Sequence, residues 1–384
     1  MTKFSTIHVW LPGIFDFKGG IQIYSTFFLQ ALEQISPNSN RHIFLKNDRP
    51  KINNLGFDSQ TQFHFSGQWK STPLHTVFFS IQILLGALFN RPDMIVCGHV
   101  NFSPLAAKIT NLFNIPYWVI VHGVDVWNLK DSRKITGLKS ADKIVSVSQY
   151  TRDRLLQEQA LNPEKIVVLP NTFDASRLQI APKPQYLLEK YHLQSDQPVI
   201  LTIARLAGEE RYKGYDQIIR ALPEIIASVP NVHYLIGGKG GDRPRIEKFI
   251  QELNLENYVT LAGFIPDEEL ADHYNLCDVF AMPSKGEGFG IVYLEALACG
   301  KPTLGGNQDG AIDALCNGEL GVLVDPDDLT EISTAITQIL KKTYPFPILY
   351  QAETLRQKVI EIYGFAQFKH NLAQLLATQF SQPT

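Results

Sequence analysis

The sequence predicts an α/β protein made of two doubly wound, parallel-sheet domains, and three observations support this class. Eleven short apolar runs rich in β-branched residues recur along the 384 residues. Helical patterns such as residues 21–35 and 215–227 lie between them. The runs are apolar throughout, which is typical of parallel strands covered on both faces. The predicted strands are residues 7–10, 94–97, 117–121, 143–147, 166–169, 198–203, 232–236, 258–261, 278–281, 302–304 and 321–324.

Residues 174–197 interrupt this alternation and contain Pro182 and Pro184, so we interpret them as a linker. A chain of this length exceeds one comfortable hydrophobic core, which favours two domains, residues 1–175 and 176–363. In doubly wound sheets, ligands bind outside the carboxyl ends of the strands. We therefore expect the site in a cleft between the two domains.

Composition places the chain among soluble globular proteins, with 45% hydrophobic and 19% charged residues. Its four cysteines form no Cys-x-x-Cys pair, which argues against a zinc site or a disulfide scaffold. The first ten residues lack a signal-peptide core and instead resemble a first strand. A cytoplasmic location is the expectation.

Charge is unevenly distributed along the chain. Residues 1–170 contain 17 Lys and Arg against 11 Asp and Glu, whereas residues 171–384 contain 18 against 27. A basic first half suits an anionic surface or acceptor, although dispersed charges of this size also serve ordinary solvation. No basic run is interleaved with aromatic residues, so nucleic acid is not an expected partner.

Residues 77–89 are the most hydrophobic stretch. The stretch is shorter than the roughly 20 residues that cross a bilayer, and it includes Ser80 and Gln82. It therefore predicts a helix buried in the core. The alternative is a peripheral contact with the inner face of a membrane.

The most informative segment begins at Ser284, where a glycine-rich loop precedes a short apolar helix. Gly286, Gly288 and Gly290 allow the backbone to come close to a ligand. The free N–H groups at the start of the following helix favour an anion such as a diphosphate.

Two carboxylates flank this loop. Glu287 lies in it, and Glu295 lies about two turns into the helix. An ionised carboxylate only accepts hydrogen bonds, so Glu287 suits a sugar hydroxyl and Glu295 a ribose diol. The alternative is a solvent-facing helix that carries two ordinary surface acids.

Two cations follow the strand at 198–203. Arg205 and Lys213 could bind a diphosphate leaving group from different directions and stabilise its charge. An ion pair with Glu209 or Glu210 is the competing interpretation.

The first half offers two further candidates. His122 follows the strand at 117–121 and begins a His-Gly-Val-Asp run that ends at Asp125. This imidazole could donate to a sugar hydroxyl, or it could simply be a buried, hydrogen-bonded histidine. Gly19 and Gly20 precede a helix and could approach a phosphate, or they could form an ordinary turn.

Taken together, these motifs resemble the retaining glycosyltransferases of family 4, which have the GT-B fold of two facing Rossmann-like domains. The resemblance covers most of the chain, and its specific element is the Glu-x7-Glu spacing of Glu287 and Glu295. It also rests on the following motifs: Gly19-Gly20, His122-Gly-Val-Asp125, Val147-Ser148, Pro170-Asn171, Arg205, Lys213-Gly214, Gly263-Phe264 and Pro283-Ser284.

The resemblance implies a role for each matched residue. Glu287 would contact the donor sugar, Glu295 the nucleotide ribose, and Arg205 with Lys213 the diphosphate, while His122 would lie by the transferred sugar. A last helix, near residues 364–384, would cross back onto the first domain. The residues expected to bind the nucleotide sugar are Gly19, Gly20, Lys239, Gly263, Phe264, Gly288, Phe289, Gly290, Ile291 and Glu295.

Two positions depart from the family pattern. Where members usually carry Gly-Gly-x-Pro-Glu, this chain has a run from Asp309 to Asp313, which leaves the contacts of that loop open. The usual Gly-Arg before the cations is Ala204-Arg205, a change that keeps the charge.

The function expected from this resemblance is retaining transfer of a hexose, best guess glucose from UDP-glucose and next GDP-mannose, to a carbohydrate or lipid-linked acceptor. No metal and no cofactor are expected, because Arg205 and Lys213 would supply the positive charge. An Asp-x-Asp at Asp325 and Asp327 is the alternative metal motif, although it precedes a helix and suits capping. A nucleotide-sugar epimerase or phosphorylase on the same fold, and a silent nucleotide-sugar-binding protein, are the competing functions.

Overall fold

The structure, a computed structural model, describes residues 4–16, 19–50, 56–68 and 72–380. The chain divides into two compact units, Met1–Thr172 with Phe365–Thr384, and Phe173–Gly364. Each unit contains one sheet whose strand pairs are all parallel. This arrangement confirms the predicted class of two doubly wound α/β units.

The first unit has a seven-stranded sheet. Its strands are Thr6–Leu11 (β1), Asn40–Leu45 (β2), Thr61–Phe65 (β3), Met94–Cys97 (β4), Tyr117–Val121 (β5), Lys143–Ser146 (β6) and Ile166–Val168 (β7). Their order across the sheet is β3-β2-β1-β4-β5-β6-β7. The helices between them are Gly20–Ile35 (α1), Thr72–Phe89 (α2), Ser103–Phe113 (α3), Ser132–Ser140 (α4) and Gln149–Glu158 (α5).

The second unit has a six-stranded sheet in the order β10-β9-β8-β11-β12-β13. Its strands are Val199–Ile203 (β8), His233–Gly237 (β9), Val259–Gly263 (β10), Val279–Met282 (β11), Thr303–Gly306 (β12) and Val322–Val324 (β13). Its helices are Gln185–Lys190 (α6), Tyr215–Ser228 (α7), Arg243–Glu252 (α8), Asp267–Leu276 (α9), Ile291–Ala298 (α10), Ala311–Ala314 (α11), Leu329–Leu340 (α12) and Ala352–Tyr363 (α13).

The final helix, Phe365–Phe380 (α14), belongs to the first unit and packs on α1. Phe365 lies 5.9 Å from Phe27 between ring centroids, and Phe368 lies 5.6 Å from Tyr24. Lys369 Nζ donates to Gln34 Oε1 at 2.8 Å. Apolar and polar contacts together therefore hold α14 against the first helix of the chain.

The central strands of both sheets are buried, as continuous apolar runs require. In β5 every residue is buried, and Trp118 is completely inaccessible. In β8 four of the five residues are buried. Burial of side chains on both strand faces stabilises each sheet through the hydrophobic effect, at roughly 25 cal/mol per Å² of apolar area.

The sequence did not predict two strands, β2 and β3. Arg41 in β2 is buried because its guanidinium donates to both carboxylate oxygens of Asp58 at 2.6 Å and to the Ser36 carbonyl. Because β2 and β3 contain polar residues of this kind, they lack the continuous apolar run by which the other strands were predicted.

Residues 174–197, which we interpreted as a linker, are a packed part of the second unit. They contain α6 and bury Leu178, Leu187 and Leu188. Arg356 in α13 donates to the Ala175 carbonyl at 3.0 Å. The prolines therefore mark an irregular but packed segment.

Helix α2 also differs from its prediction as a buried core helix. One face is buried through Phe79, Ile83 and Ala87, but the opposite face exposes apolar side chains such as Leu88 and Phe89. None of the described helices combines the length and apolar content needed to span a bilayer.

Three imidazoles lie together on β1, β2 and β3 of the first unit. The ring centroids of His8 and His42 are 5.3 Å apart, and His42 Nδ1 is 3.1 Å from His64 Nε2. Burial, together with the neighbouring imidazoles, lowers the pKa of His8 to about 3 and the pKa of His64 to about 4. His8 is fully buried, and neither of its ring nitrogens has a side-chain hydrogen-bond partner among the described residues.

This cluster predicts that the first unit loses stability as the pH falls below about 6.5. The unfolded chain binds protons on these histidines near that pH, whereas the folded protein does not, so protonation favours unfolding. At pH 5, His8→Phe should recover about 2 kcal/mol of unfolding free energy relative to its effect at pH 8. Urea titrations followed by circular dichroism at both pH values measure this difference. An equal effect of His8→Phe at pH 5 and pH 8 would contradict the prediction.

Candidate functional site

The predicted residues of the second unit meet because β8, β11 and β12 are neighbours in its sheet. Arg205 follows the end of β8, Glu287 follows β11, and Asp309 follows β12. The carboxyl ends of parallel strands lie at the same edge of a sheet. Residues more than 100 positions apart in the sequence are thus brought to one edge.

The loop before α10 has a tightly constrained backbone. Gly290 has a φ of 90°, and a Cβ there would lie 2.5 Å from the ring of Tyr293. A Cβ on Gly286 would lie 2.6 Å from the ring of Tyr212. Gly290, at the capping position directly before α10, has no side chain that could accept from the first N–H groups of the helix. These groups therefore remain suited to an anion.

Lys213 and Glu287 form an ion pair through Nζ and Oε1. Their side chains are 14% and 15% exposed, so this pair is largely shielded from water. Lys213 Nζ is also 3.8 Å from Glu210 Oε2, and Arg205 is 2.9 Å from Glu210 Oε1. The structure brings the predicted cations and the predicted acid together. Glu210, named in the competing ion-pair interpretation, is part of the same group.

These pairs have a chemical consequence for ligand binding. Two acids balance two cations, so a diphosphate must compete with Glu287 and Glu210 for Lys213 and Arg205. A sugar hydroxyl next to the diphosphate could donate to the carboxylate of Glu287 once its lysine turns to the phosphate. Arg205 and Lys213 therefore form the ion pairs of the competing interpretation, and the same charged groups would have to bind the diphosphate.

Asp309 is the site residue that sequence reasoning missed. Its fully buried carboxylate accepts hydrogen bonds from Ser284 Oγ at 2.7 Å, from the Glu287 N–H at 2.7 Å and from the Ala311 N–H at 2.9 Å. The Gly310 N–H donates in turn to the Glu287 carbonyl at 2.8 Å. Asp309 thus fixes the backbone of the residue that carries the predicted sugar-binding acid.

Burial raises the pKa of Asp309 from 3.8 to about 6, although its hydrogen bonds with Ser284, Glu287 and Ala311 oppose the rise. The nearby carboxylate of Glu287 acts in the same direction as burial. The only sequence signal for Asp309 was its place in the loop that departs from the family pattern.

Glu295 is held on the inner side of α10. Tyr274 of α9 donates its hydroxyl to Glu295 Oε2 at 2.7 Å. The side chain of Glu295 is partly buried, which rules out the solvent-facing helix considered as an alternative. Phe289 and Ile291, on either side of Gly290, are buried, and the ring centroid of Phe289 is 5.4 Å from that of Tyr363.

Three of the residues expected to bind the nucleotide sugar lie at the ends of β9 and β10: Lys239, Gly263 and Phe264. Lys239 Nζ lies 4.4 Å from the ring centroid of Phe264, and the Phe264 side chain is 60% exposed. Gly263 has a φ of 75°, which turns the chain directly before this ring. An exposed aromatic face beside a cation is a surface on which a planar ring can stack.

In the first unit, His122 is anchored by hydrogen bonds. Its Nε2 is 2.9 Å from the Gly98 carbonyl, and its backbone N–H donates to Asp125 Oδ1 at 2.8 Å. A carbonyl only accepts, so Nε2 carries the proton and, in the neutral ring, Nδ1 is left as an acceptor. His122 is therefore a hydrogen-bonded histidine whose donor is already engaged.

Gly19 and Gly20 begin α1, and Gly19 provides no side-chain cap for that helix. A Cβ on Gly20 would meet no atom within 4 Å. Packing within the described residues therefore does not require glycine at position 20.

Within the described residues, no group of three or more His, Cys, Asp and Glu side chains could hold a metal ion. Asp325 accepts from the Asp327 N–H at 2.9 Å, and Asp327 pairs with Lys285 at 2.5 Å. The neighbouring Asp328 caps α12 by accepting from the N–H groups of Thr330 and Glu331. The acids of this segment thus serve a turn, an ion pair and a helix cap.

Two parallel-sheet units of this kind define the GT-B fold, and solved structures of that class align with almost the entire chain. Sucrose-phosphate synthase from Thermosynechococcus elongatus superimposes with a TM-score of 0.82 at 20% identity, covering 98% of this chain and 99% of that one. HepE of Anabaena, solved with UDP and glucose, gives a TM-score of 0.77 at 18% identity, covering 97% and 99%. These similarities show the fold.

Family models match both halves of the chain. Residues 187–358 match the model "Glycosyl transferases group 1", and residues 46–177 match "Glycosyltransferase Family 4". Each half of the chain is therefore similar to a glycosyltransferase domain, and the two units together have the GT-B fold.

One relative is the GDP-mannose-dependent alpha-(1-6)-phosphatidylinositol monomannoside mannosyltransferase of Mycolicibacterium smegmatis, 35% identical over 208 residues, which are 52% of this chain and 53% of that protein. Another is the mannosylfructose-phosphate synthase of Agrobacterium fabrum, 25% identical over 211 residues, covering 53% and 46%. The chain spans about half the length of each of these two relatives.

Asp309→Asn should change the pH dependence of stability. The folded wild type keeps the Asp309 proton up to about pH 6, whereas the unfolded chain loses it near pH 3.8, so unfolding free energy falls as the pH rises through this window. The full difference is about 3 kcal/mol, and Asn, which does not ionise, removes it. Chemical unfolding at pH 4.5 and 7 measures this, with the exposed Asp327→Asn as control. Identical pH profiles for wild type and Asp309→Asn would contradict it.

Proposed function

We propose that the protein transfers a hexose from a nucleotide diphosphate sugar to a hydroxyl acceptor with retention of configuration. The observation that carries the proposal is the shielded ion pair between Lys213 and Glu287, because Glu287 lies in the loop that precedes the uncapped helix α10. A cation, free N–H groups and an acid at one place suit a diphosphate joined to a sugar. The glycosyltransferase domains in both halves support this assignment.

The proposed reaction needs no protein nucleophile. The bond between the anomeric carbon and the phosphate oxygen breaks, a bond from that carbon to the acceptor oxygen forms on the same face, and the acceptor proton passes to the departing phosphate oxygen. Lys213, Arg205 and the N–H groups that begin α10 stabilise the developing diphosphate charge. Glu287 and Glu295 orient the hexose and the ribose, and catalysis is mainly positioning and electrostatics.

Two donors are in contention. UDP-glucose is the donor predicted from the sequence, and GDP-mannose is the donor in the name of the 35% identical relative. Lys239 and Phe264 are proposed to border the base, and the acceptor is proposed to be a carbohydrate or a lipid-linked sugar. A ligand that binds only the folded protein raises its melting temperature. Thermal shift against UDP-, GDP- and ADP-hexoses therefore identifies the base.

Loss of the lysine charge should impair transfer far more than folding. We expect Lys213→Met to lower kcat by roughly 100-fold or more, because charge on the leaving group is then poorly compensated. Lys248→Met, on the exposed face of α8, is the matched control and should retain wild-type kcat. Radiolabelled transfer from the donor found by thermal shift gives both rates. Equal rates for the two variants would overturn the assignment of Lys213.

Three further assays separate the alternatives. Transfer should be undiminished in EDTA, since protein cations replace the metal; complete loss that Mn²⁺ restores would defeat the metal-free mechanism. Donor incubated without acceptor should keep its sugar configuration, whereas conversion to an epimer would indicate an epimerase. Indistinguishable donor consumption by wild type and Glu287→Ala would indicate a silent, binding-only protein.

A further inference from the structure

Helix α2 of the first unit exposes an apolar stripe to solvent. Of the twelve large hydrophobic residues that are exposed in the described chain, seven lie on this helix, with exposures from 44% to 74%. Their spacing of three and four residues places most of them along one face. The α2 stripe consists of Leu74, Val77, Ile81, Leu84, Leu85, Leu88 and Phe89.

The orientation of α2 is fixed by its opposite face. Phe79 and Ile83 belong to the core of the unit. Gly86 faces the sheet so closely that a Cβ there would lie 2.8 Å from the ring of Phe44. Gln82 points inward, where its Oε1 accepts from Ser66 Oγ at 2.7 Å. Rotation of the helix to bury the stripe would expose these groups instead.

Charged residues around the stripe are mainly basic. Between positions 72 and 113 the only acid is Asp93, and its carboxylate accepts from the N–H groups of Ser5 and Thr6 at the start of β1. Arg91, just beyond the end of α2, and Lys108 on α3 are exposed cations. Helix α3 lies beside α2, since Arg91 donates to the Phe113 carbonyl at 3.0 Å.

We propose that the α2 stripe is a docking surface for an anionic lipid bilayer, with α2 lying in the plane of the headgroups. Exposed Leu and Phe side chains insert at the boundary with the acyl chains, and flanking cations contact anionic headgroups. The outward-facing Ser80 hydroxyl donates to the Thr76 carbonyl within the helix, which lowers the cost of leaving water.

The stripe fits a lipid surface better than a second copy of the chain. Seven side chains on a single helix fall short of the roughly 20–30 residues that each partner contributes to a standard protein interface. Excess basic charge also repels an identical face, whereas it attracts anionic lipid. Bound to a bilayer, the α2 stripe would bring the first unit to a lipid-linked acceptor. This last role rests on the proposed function, whereas the docking surface itself does not.

Co-sedimentation with phosphatidylcholine vesicles containing phosphatidylglycerol tests the surface directly. Wild type should bind, and the double variant Leu84→Ser/Leu88→Ser should bind roughly tenfold or more weakly, because two inserted side chains are lost. Ile362→Ser, an exposed apolar residue of α13, is the matched control and should bind like wild type. Lys108→Gln should weaken binding to these vesicles and leave binding to pure phosphatidylcholine unchanged.

Assays in solution, without vesicles, test the proposed function independently of membrane binding. The double variant should retain the wild-type thermal shift with the donor and wild-type transfer to a soluble acceptor, which shows that it folds. Absence of wild-type binding to anionic vesicles at low salt would overturn the docking surface. A concentration-dependent dimer in sedimentation equilibrium, lost in the double variant, would assign the stripe to a second copy instead.

Discussion

The close approach of two loops at the carboxyl ends of β11 and β12 is the constraint on which the candidate site depends. A Cβ on Gly306 would lie 1.8 Å from the Ser284 carbonyl oxygen, and one on Gly310 would lie 2.2 Å from that of Gly288. The buried Asp309 carboxylate then joins the loops by accepting from Ser284 and Glu287. Without this contact the acid that faces Lys213 would have no fixed position.

The arrangement explains how one small region combines opposite charges. The carboxyl groups of Asp309 and Glu287 lie close together, and the raised pKa of Asp309 reflects first its burial and then that neighbour. Lys213 lies against Glu287 and supplies the compensating charge. A diphosphate must displace Glu287 from Lys213, whereas the backbone that Asp309 holds at Glu287 can stay in place. Fixed donors and acceptors of this kind are a condition for electrostatic catalysis.

Most of the fold was predictable, because buried parallel strands are continuous apolar runs. All eleven predicted strands are present; β4 and β5 have the predicted boundaries, and in the others a boundary moves by one or two residues. The missed strands β2 and β3 contain residues such as Arg41, His42 and His64, whose burial depends on tertiary partners. Helix α2 was misjudged because hydrophobicity around an entire helix indicates burial, and only the structure shows which face remains uncovered.

The site was predictable where its chemistry follows local spacing and not where it depends on distant contacts. The prediction that Glu287 lies in the loop and Glu295 in the following helix is correct, but Glu295 is the fifth residue of α10 and lies little more than one turn into it, not two. The pairing of Lys213 with Glu287 joins residues 74 positions apart, and no local pattern encodes it. The role of Asp309 was not predictable from the residues around it, because its partners Ser284 and Glu287 follow a different strand, β11. The sequence showed only that Asp309 lies where the resembling family usually has glycines.

The most direct test of the account is a crystal structure of the protein with the nucleotide sugar that gives the largest thermal shift. The account predicts the diphosphate within hydrogen-bond distance of Lys213 and the first N–H groups of α10, with the hexose hydroxyls on Glu287 and the ribose on Glu295. A ligand bound elsewhere on the second unit, with the Lys213–Glu287 pair intact, would contradict it.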